Sequence, residues 1–260
     1  MTKLSTLTHQ DKDAGFTLVE LAVVMIIIGL LIGGVLKGQE LINNAEVTNS
    51  AGAIQTYDSA SLSFSDAFGT YPGDVQNPAD RIPDCAGTCV PAGSTLGNRQ
   101  IADGNGFGGA GQAERNASFL QLYLADFIGG MDPNQLAVPG GEYPGLQVED
   151  SVGMTMAYTD DGAAADFPGI IADPATTTPR RGHYFGISLD PTVDFVAGNG
   201  TLEVNDAARL DQKLDDGNPN TGDVLAYGAV GDCASADDET GVYRTADDGA
   251  LCGLYIATSF

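Results

Sequence analysis

From Phe16 to Leu36 the chain carries one charge, Glu20, in about 21 residues that are otherwise apolar or small, Thr17 excepted. At about 1.5 Å of rise per residue, a helix of that length measures roughly 31 Å, the thickness of a bilayer's hydrocarbon core. After Leu36 polar residues enter, and the apolar ones recur at intervals of three and four. Val47, Ile54, Tyr57, Phe64 and Phe68 fall on one face, with Ala51 and Ala60 or Ser61 filling the gaps. No proline interrupts before Pro72. The pattern predicts one helix over residues 16–68, about 80 Å long, with a membrane-crossing half at 16–36 and an amphipathic half at 37–68. A lone helix of that length needs partners to be stable.

Past residue 68 the texture changes. All 12 prolines fall there, and clusters such as Tyr71-Pro72-Gly73-Asp74, Val138-Pro139-Gly140-Gly141 and Asp216-Gly217-Asn218-Pro219 read as turns. Two amphipathic stretches, Asn116 to Ile128 and Asn205 to Leu214, predict short helices. Runs at Thr155 to Tyr158, His183 to Leu189, Asp223 to Val230 and Leu251 to Thr258 predict strands. A long helix followed by hairpin-joined strands argues an α+β fold, in which a small antiparallel sheet of a globular head, residues 69–260, packs on the amphipathic half-helix.

Glu20 needs an explanation, because a carboxylate one turn into a membrane helix costs about 2.5–3.5 kcal/mol on insertion scales. The polar segment 1–15 precedes the apolar run, and no small-residue cleavage site follows it, which is the reverse of a secretory signal peptide. Cleavage between Gly15 and Phe16 would create a new amine, which Glu20 of a neighbouring copy could neutralise.

At Gly15, Phe16, Thr17, Leu18, Val19 and Glu20, with the apolar helix behind them, the chain resembles the type IV pilin superfamily, including the pseudopilins of type II secretion systems. The resemblance covers residues 14–49. It implies a leader peptide at 1–15 removed after Gly15 by prepilin peptidase, N-methylation of Phe16, and alignment of neighbouring subunits by Glu20. It also implies insertion in the bacterial inner membrane and assembly, by inner-membrane machinery, into a filament of copies of the chain or related pilins. The leader departs from a net-basic one, since Asp11 and Asp13 stand beside Lys3 and Lys12. Gly29, Gly33, Gly34 and Gly38 occur without a helix-breaking proline, which suits either local loosening or close helix packing. The segment with Asp211, Asp215, Asp216, Gly217 and Gly222, together with the Tyr71–Asp74 turn, is similar to other pilin-like sequences.

Four cysteines, Cys85, Cys89, Cys233 and Cys252, lie in the part that would be exported, where disulfides are expected. Three pairings are open. The local ones, Cys85 with Cys89 and Cys233 with Cys252, are preferred because each closes a turn-rich loop. A four-cysteine zinc site is the alternative, though the second pair lacks the usual tight spacing.

Acidic residues number 35 against 11 basic, a net charge of −24. That balance argues against nucleic-acid binding by a broad basic patch and makes a polymer of this chain self-repelling without screening. It also raises the question of calcium. Asp103 and Asn105, with Glu114 at the twelfth position, partly match an EF-hand loop, although Phe107 stands where an oxygen ligand belongs. Asp216, Asn218 and Asn220 offer alternating side-chain oxygens in a second loop. The competing reading of both is a set of Asx-turns in solvated loops. Some pilin-like subunits bind calcium in a C-terminal loop, with no ligand pattern that maps onto these residues.

Nothing points to catalysis. His183 alone follows the leader, and no nucleophile-elbow, zinc-protease or P-loop pattern occurs. Three functions are therefore expected in order: a structural subunit of a type IV pilus-like filament; a pseudopilin or minor subunit of a type II secretion system; and an exported calcium- or ligand-binding domain merely tethered by the helix.

Overall fold

The computed structural model describes residues 16–93, 95–101, 107, 112–132, 134–135, 139–141, 143–160, 167–168, 170–171, 179–188, 201–228, 233–236, 240–246 and 249–260. The architecture is α+β: a long N-terminal helix and a C-terminal domain built on an antiparallel sheet. The chain divides into two compact units, Met1–Asn44 and Ala45–Phe260.

Helix α1 runs Leu18–Phe68 without a break. It ends where Gly69 adopts φ +77° and its amide caps the Ser65 carbonyl at 2.9 Å, a left-handed stop that suits glycine. In the first unit every large apolar side chain of α1 is exposed. In the second, Val47, Ala51, Ile54, Ala60 and Phe64 are buried, with Ser50, Ser61 and Ser65 in the gaps. Tyr57 and Phe68 are half-buried at the margin of the same face.

Helix α2, Pro78–Arg81, is a single turn. Helix α3, Gln112–Leu124, starts four residues before the expected Asn116 and stops four short of Ile128. Its end is a Schellman motif: the Phe127 amide bonds the Leu122 carbonyl and the Asp126 amide the Tyr123 carbonyl, both at 3.0 Å, with Asp126 at φ +62°. That reversal sets the Phe127 ring 5.5 Å from Phe64. Helix α4, Val204–Leu214, buries Val204, Ala207, Leu210 and Asp211.

Among the described residues six strands form the sheet: β1 Gly145–Leu146, β2 Glu149–Thr159, β3 Gly182–Ser188, β4 Leu202–Glu203, β5 Val224–Tyr227 and β6 Leu251–Ala257. All pairings are antiparallel, in the order β1-β2-β3-β6-β4 with β5 also on β6. β2 is longer than the Thr155–Tyr158 run suggests, and the two-residue strands β1 and β4 have no periodicity to announce them. Leu189 and Val230, the expected ends of two strands, lie outside the described residues.

One face of the sheet, with Met154, Met156, Phe185 and Ile256, packs in the main core with the buried side of α1 and with Phe119 and Leu122 of α3. The other carries a cluster of rings: Phe107, Phe167, Tyr184, Tyr227 and Tyr255. Gly253 belongs to that layer, since the Tyr227 ring fills the space a Cβ would need. Cys85 is bonded to Cys89 and Cys233 to Cys252, with Cα separations of 5.4 and 5.2 Å. No thiol is left for the alternative zinc site among the four.

Candidate functional site

The N-terminus of α1 is a capping box. Thr17 is the N-cap residue: its Oγ1 accepts from the Glu20 amide at 3.2 Å, and Glu20 Oε2 accepts from the Thr17 amide and Thr17 Oγ1, each at 2.8 Å. Two amides that a helix start leaves without partners are thereby satisfied, and the carboxylate sits on the positive end of the helix dipole. The T-x-x-E spacing announces this box, and Thr17 is the residue a reading centred on Glu20 passes over. Phe16 is 82% exposed. Gly15, the other side of the expected cleavage bond, lies outside the described residues.

From Phe16 to Ile42 the large apolar side chains are 44–87% exposed. Among the described residues α1 alone is long and apolar enough to cross a membrane. Lys37 and Glu40 pair at 2.6 Å just beyond the apolar run.

The two expected calcium loops come out differently. Asp103 and Asn105 lie outside the described residues, while Glu114 is fully buried in the first turn of α3. In the second loop the alternating oxygens bond within the loop. Asp216 Oδ1 accepts from the Asn218 amide at 2.8 Å and Asp216 Oδ2 from Thr221 Oγ1 at 2.7 Å. Asn218 Oδ1 accepts from the Asn220 amide at 3.0 Å, and Asn220 Nδ2, fully buried, donates to the Ala236 carbonyl. Asp216 and Asn218 thus form Asx-turns.

The carboxylates that converge are those of Asp211, Asp215 and Asp216, with oxygens within 4.8 Å of one another. Of the six residues expected from the sequence, only Asp216 belongs to this group. Asp211 is fully buried; its Oδ1 accepts from the Gly217 amide at 3.1 Å and its Oδ2 from the Tyr243 hydroxyl at 2.8 Å. Burial pushes its carboxyl up to about 7, against the opposing hydrogen bonds from Tyr243 and Gly217 and with added repulsion from Asp216 and Asp215. Asp215 Oδ2 accepts from the Asp223 and Val224 amides, tying the loop to β5. Gly222, at φ +83°, stands where any Cβ would strike the Asp215 carboxylate.

A further buried carboxylate, Asp74, ends the Tyr71–Asp74 turn. It accepts from Thr70 Oγ1 and from the successive amides of Gly97, Asn98 and Arg99, which join the turn to the 97–99 loop. Its role is structural.

His183 lies 3% exposed between Tyr71, Tyr158 and Phe260, with ring centroids 4.1, 4.8 and 5.1 Å away. Burial holds its imidazole down near 3, so it is neutral. Among the described residues its ring neighbours are these three aromatic side chains, so it packs within an aromatic cluster.

Residues 10–36 match the prokaryotic N-terminal methylation motif. This is the prepilin-type signature of type IV pilins and pseudopilins. No curated protein sequence and no solved structure matches the chain.

Proposed function

We propose that this chain is a structural subunit of a type IV pilus-like filament. In this reading prepilin peptidase removes residues 1–15, Phe16 is N-methylated, and the processed subunit polymerises through α1 with its acidic head outward. Before assembly it stands in the bacterial inner membrane, held by the apolar half of α1. It acts by assembly and not by catalysis. The observation that carries the reading is the start of α1: the methylation motif, the exposed Phe16 and the Thr17–Glu20 box occur together.

The box accounts for how the carboxylate endures the membrane. Both bonds from Thr17 end on Glu20 Oε2. Cleavage before Phe16 leaves the Thr17 amide intact, so the box survives processing while Oε1 meets the new amine of a neighbouring Phe16. An ion pair formed in a dry helical bundle is far stronger than one in water, and it forms only between correctly staggered subunits.

Glu20→Ala tests this reading. The precursor should still insert and fold its head, yet disappear from the fraction sheared off the cells. A tethered binding domain would keep its surface display without entering fibres, so Glu20→Ala displayed at the wild-type level, with the wild-type chain absent from the sheared fraction, would contradict a filament subunit. A pseudopilin or minor subunit of a type II secretion system is the nearest alternative, and it would show the processed chain confined to the membrane fraction.

The converging carboxylates of Asp211, Asp215 and Asp216 favour a calcium ion at the α4–β5 loop as a second, compatible property. A ligand bound to the folded state alone stabilises it by RT ln(1 + c/Kd) at free concentration c and so raises the unfolding temperature. Millimolar calcium should therefore raise the melting temperature of the detergent-solubilised chain, and Asp216→Asn should remove most of that rise. Equal melting in calcium and in chelator would exclude the ion.

A further inference from the structure

With 35 acidic residues against 11 basic ones, a cation in this chain is expected to find a carboxylate nearby. Lys37 pairs with Glu40, Arg180 with Asp223 and Arg209 with Asp206. Arg181, next to Arg180 in the one adjacent basic pair of the sequence, does not. Its Nε donates to the Tyr158 hydroxyl at 2.6 Å, and its guanidinium stands over the Tyr158 ring, 6.0 Å from the centroid. Asp160 attracts it from a distance, but among the described residues Arg181 forms no ion pair. The Nη end of its fork is left open.

That arginine lines a cleft of about 190 Å³ between the start of β3 and the segment Thr258–Phe260 that follows β6. The Thr258 amide, donating to the His183 carbonyl at 3.0 Å, ties the two walls together. His183 also lines the cleft; it is 3% exposed, and its Nε2 has no hydrogen-bond partner among the described residues. A buried polar nitrogen without a partner is costly and calls for a ligand. Arg99, stacked 5.5 Å from the centroid of Tyr71, adds its charge at the imidazole from another side.

We propose that this cleft is an anion site that takes one carboxylate, which accepts from the Nη groups of Arg181 and from Nε2–H of His183. The guanidinium fork matches a planar carboxylate. The volume is below the roughly 300–1,000 Å³ of pockets that enclose whole small molecules, so the cleft admits one such group and not a large ligand. Asp223, which already occupies Arg180 at the rim, keeps the local positive charge small and disfavours a multiply charged anion such as phosphate. The site does not depend on the chain forming fibres. Its carboxylate comes from a free small acid or from an acidic side chain of another copy's head.

The two histidines of the sequence are His9 and His183, so His9→Gln leaves a single imidazole as reporter. In the detergent-solubilised full chain carrying that change, sodium acetate at constant ionic strength should move the His183 Cε1–H resonance to saturation, and sodium chloride should not. Arg181→Gln should weaken the acetate response by about tenfold or more. Tyr158→Phe removes the same intrachain hydrogen bond but keeps the charge, and should retain most of the response. Equal shifts from chloride and acetate, a tighter response to phosphate, or a response untouched by Arg181→Gln would overturn the proposal. Tyr158→Phe as damaging as Arg181→Gln would overturn it too, by giving Arg181 a structural role alone. The source is read in sheared fibres by solid-state NMR: a His183 signal already at its acetate-bound position supports a neighbouring head, and one that moves only when acetate is added supports a free acid.

Discussion

Residues 18–44 and 45–68 belong to the same helix, and their surroundings are opposite. In the first stretch apolar side chains point outward all round, the pattern of a helix that crosses a bilayer or is buried in an assembly. In the second, one face is buried against a folded domain and the exposed remainder is mostly polar or small, with Leu62 as its large apolar side chain. The difference teaches that the helix draws its stability from two separate sources. The head holds residues 45–68 within one chain, whereas residues 18–44 depend on lipid or on other copies.

The sharpest way to break the comparison is to truncate one apolar side chain in each stretch. Phe64 is completely buried among Phe68 and Phe127. Phe64→Ala should destabilise the head by about 3–5 kcal/mol. Leu31, 63% exposed, should leave head stability unchanged on Leu31→Ala and act, if at all, on assembly. Equal melting of the two variants in detergent would show that the head does not own its half of the helix.

A somewhat smaller effect is expected at the C-terminal strand. Cys233–Cys252 closes a loop with a sequence separation of 19, staples β6 to the preceding loop and lies fully buried. The double variant Cys233→Ser, Cys252→Ser should lower head stability by about 3 kcal/mol in the chain-entropy model. Removing Cys85–Cys89, which spans a separation of only 4, should cost less. Denaturant unfolding of the two variants side by side checks the order.

The smallest effect concerns pH. His183 falls from an ordinary value near 6.5 to about 3 on burial, so the folded head binds fewer protons than the unfolded chain between those values. Its contribution is therefore fully present above about pH 6.5 and is lost as pH falls toward 3. Asp211, raised to about 7, acts with the opposite sign, its share being present at low pH and lost as pH rises through about 7. The difference between wild type and His183→Phe isolates the histidine. Relative to the variant, the wild-type head should lose stability on acidification from pH 6.5 to 4, and parallel profiles would contradict the burial of a neutral imidazole.

Much of this division is legible in the residues. The uninterrupted α1 follows from apolar spacing and the absence of proline before Pro72, and its buried face follows from Val47, Ile54 and Phe64. What hides is whatever tertiary structure buries against its local character. Glu114 and Arg115 look like exposed loop residues and are buried in the first turn of α3, which is why that helix begins earlier than its apolar pattern suggests. Asp150, Ser151 and Gly153 blur the alternation of β2. At the α4–β5 loop the D-x-N-x-N run draws the eye as a ligand set. Its asparagines, however, satisfy backbone and loop groups, and the carboxylates that meet come from the last turn of α4, at Asp211, and from the loop start, at Asp215 and Asp216. One in-sequence signal was available and is local: T-x-x-E at Thr17–Glu20, which reads directly as a helix start.

The central claim is that the apolar half of α1 is a processed, polymerising element and not a passive anchor. Shearing the native cells and measuring the mass of the subunit's N-terminal peptide in the fibre fraction tests it most directly. The account predicts a fibre subunit whose chain begins at N-methylated Phe16. A chain that retains residues 1–15 and never leaves the membrane fraction would contradict it.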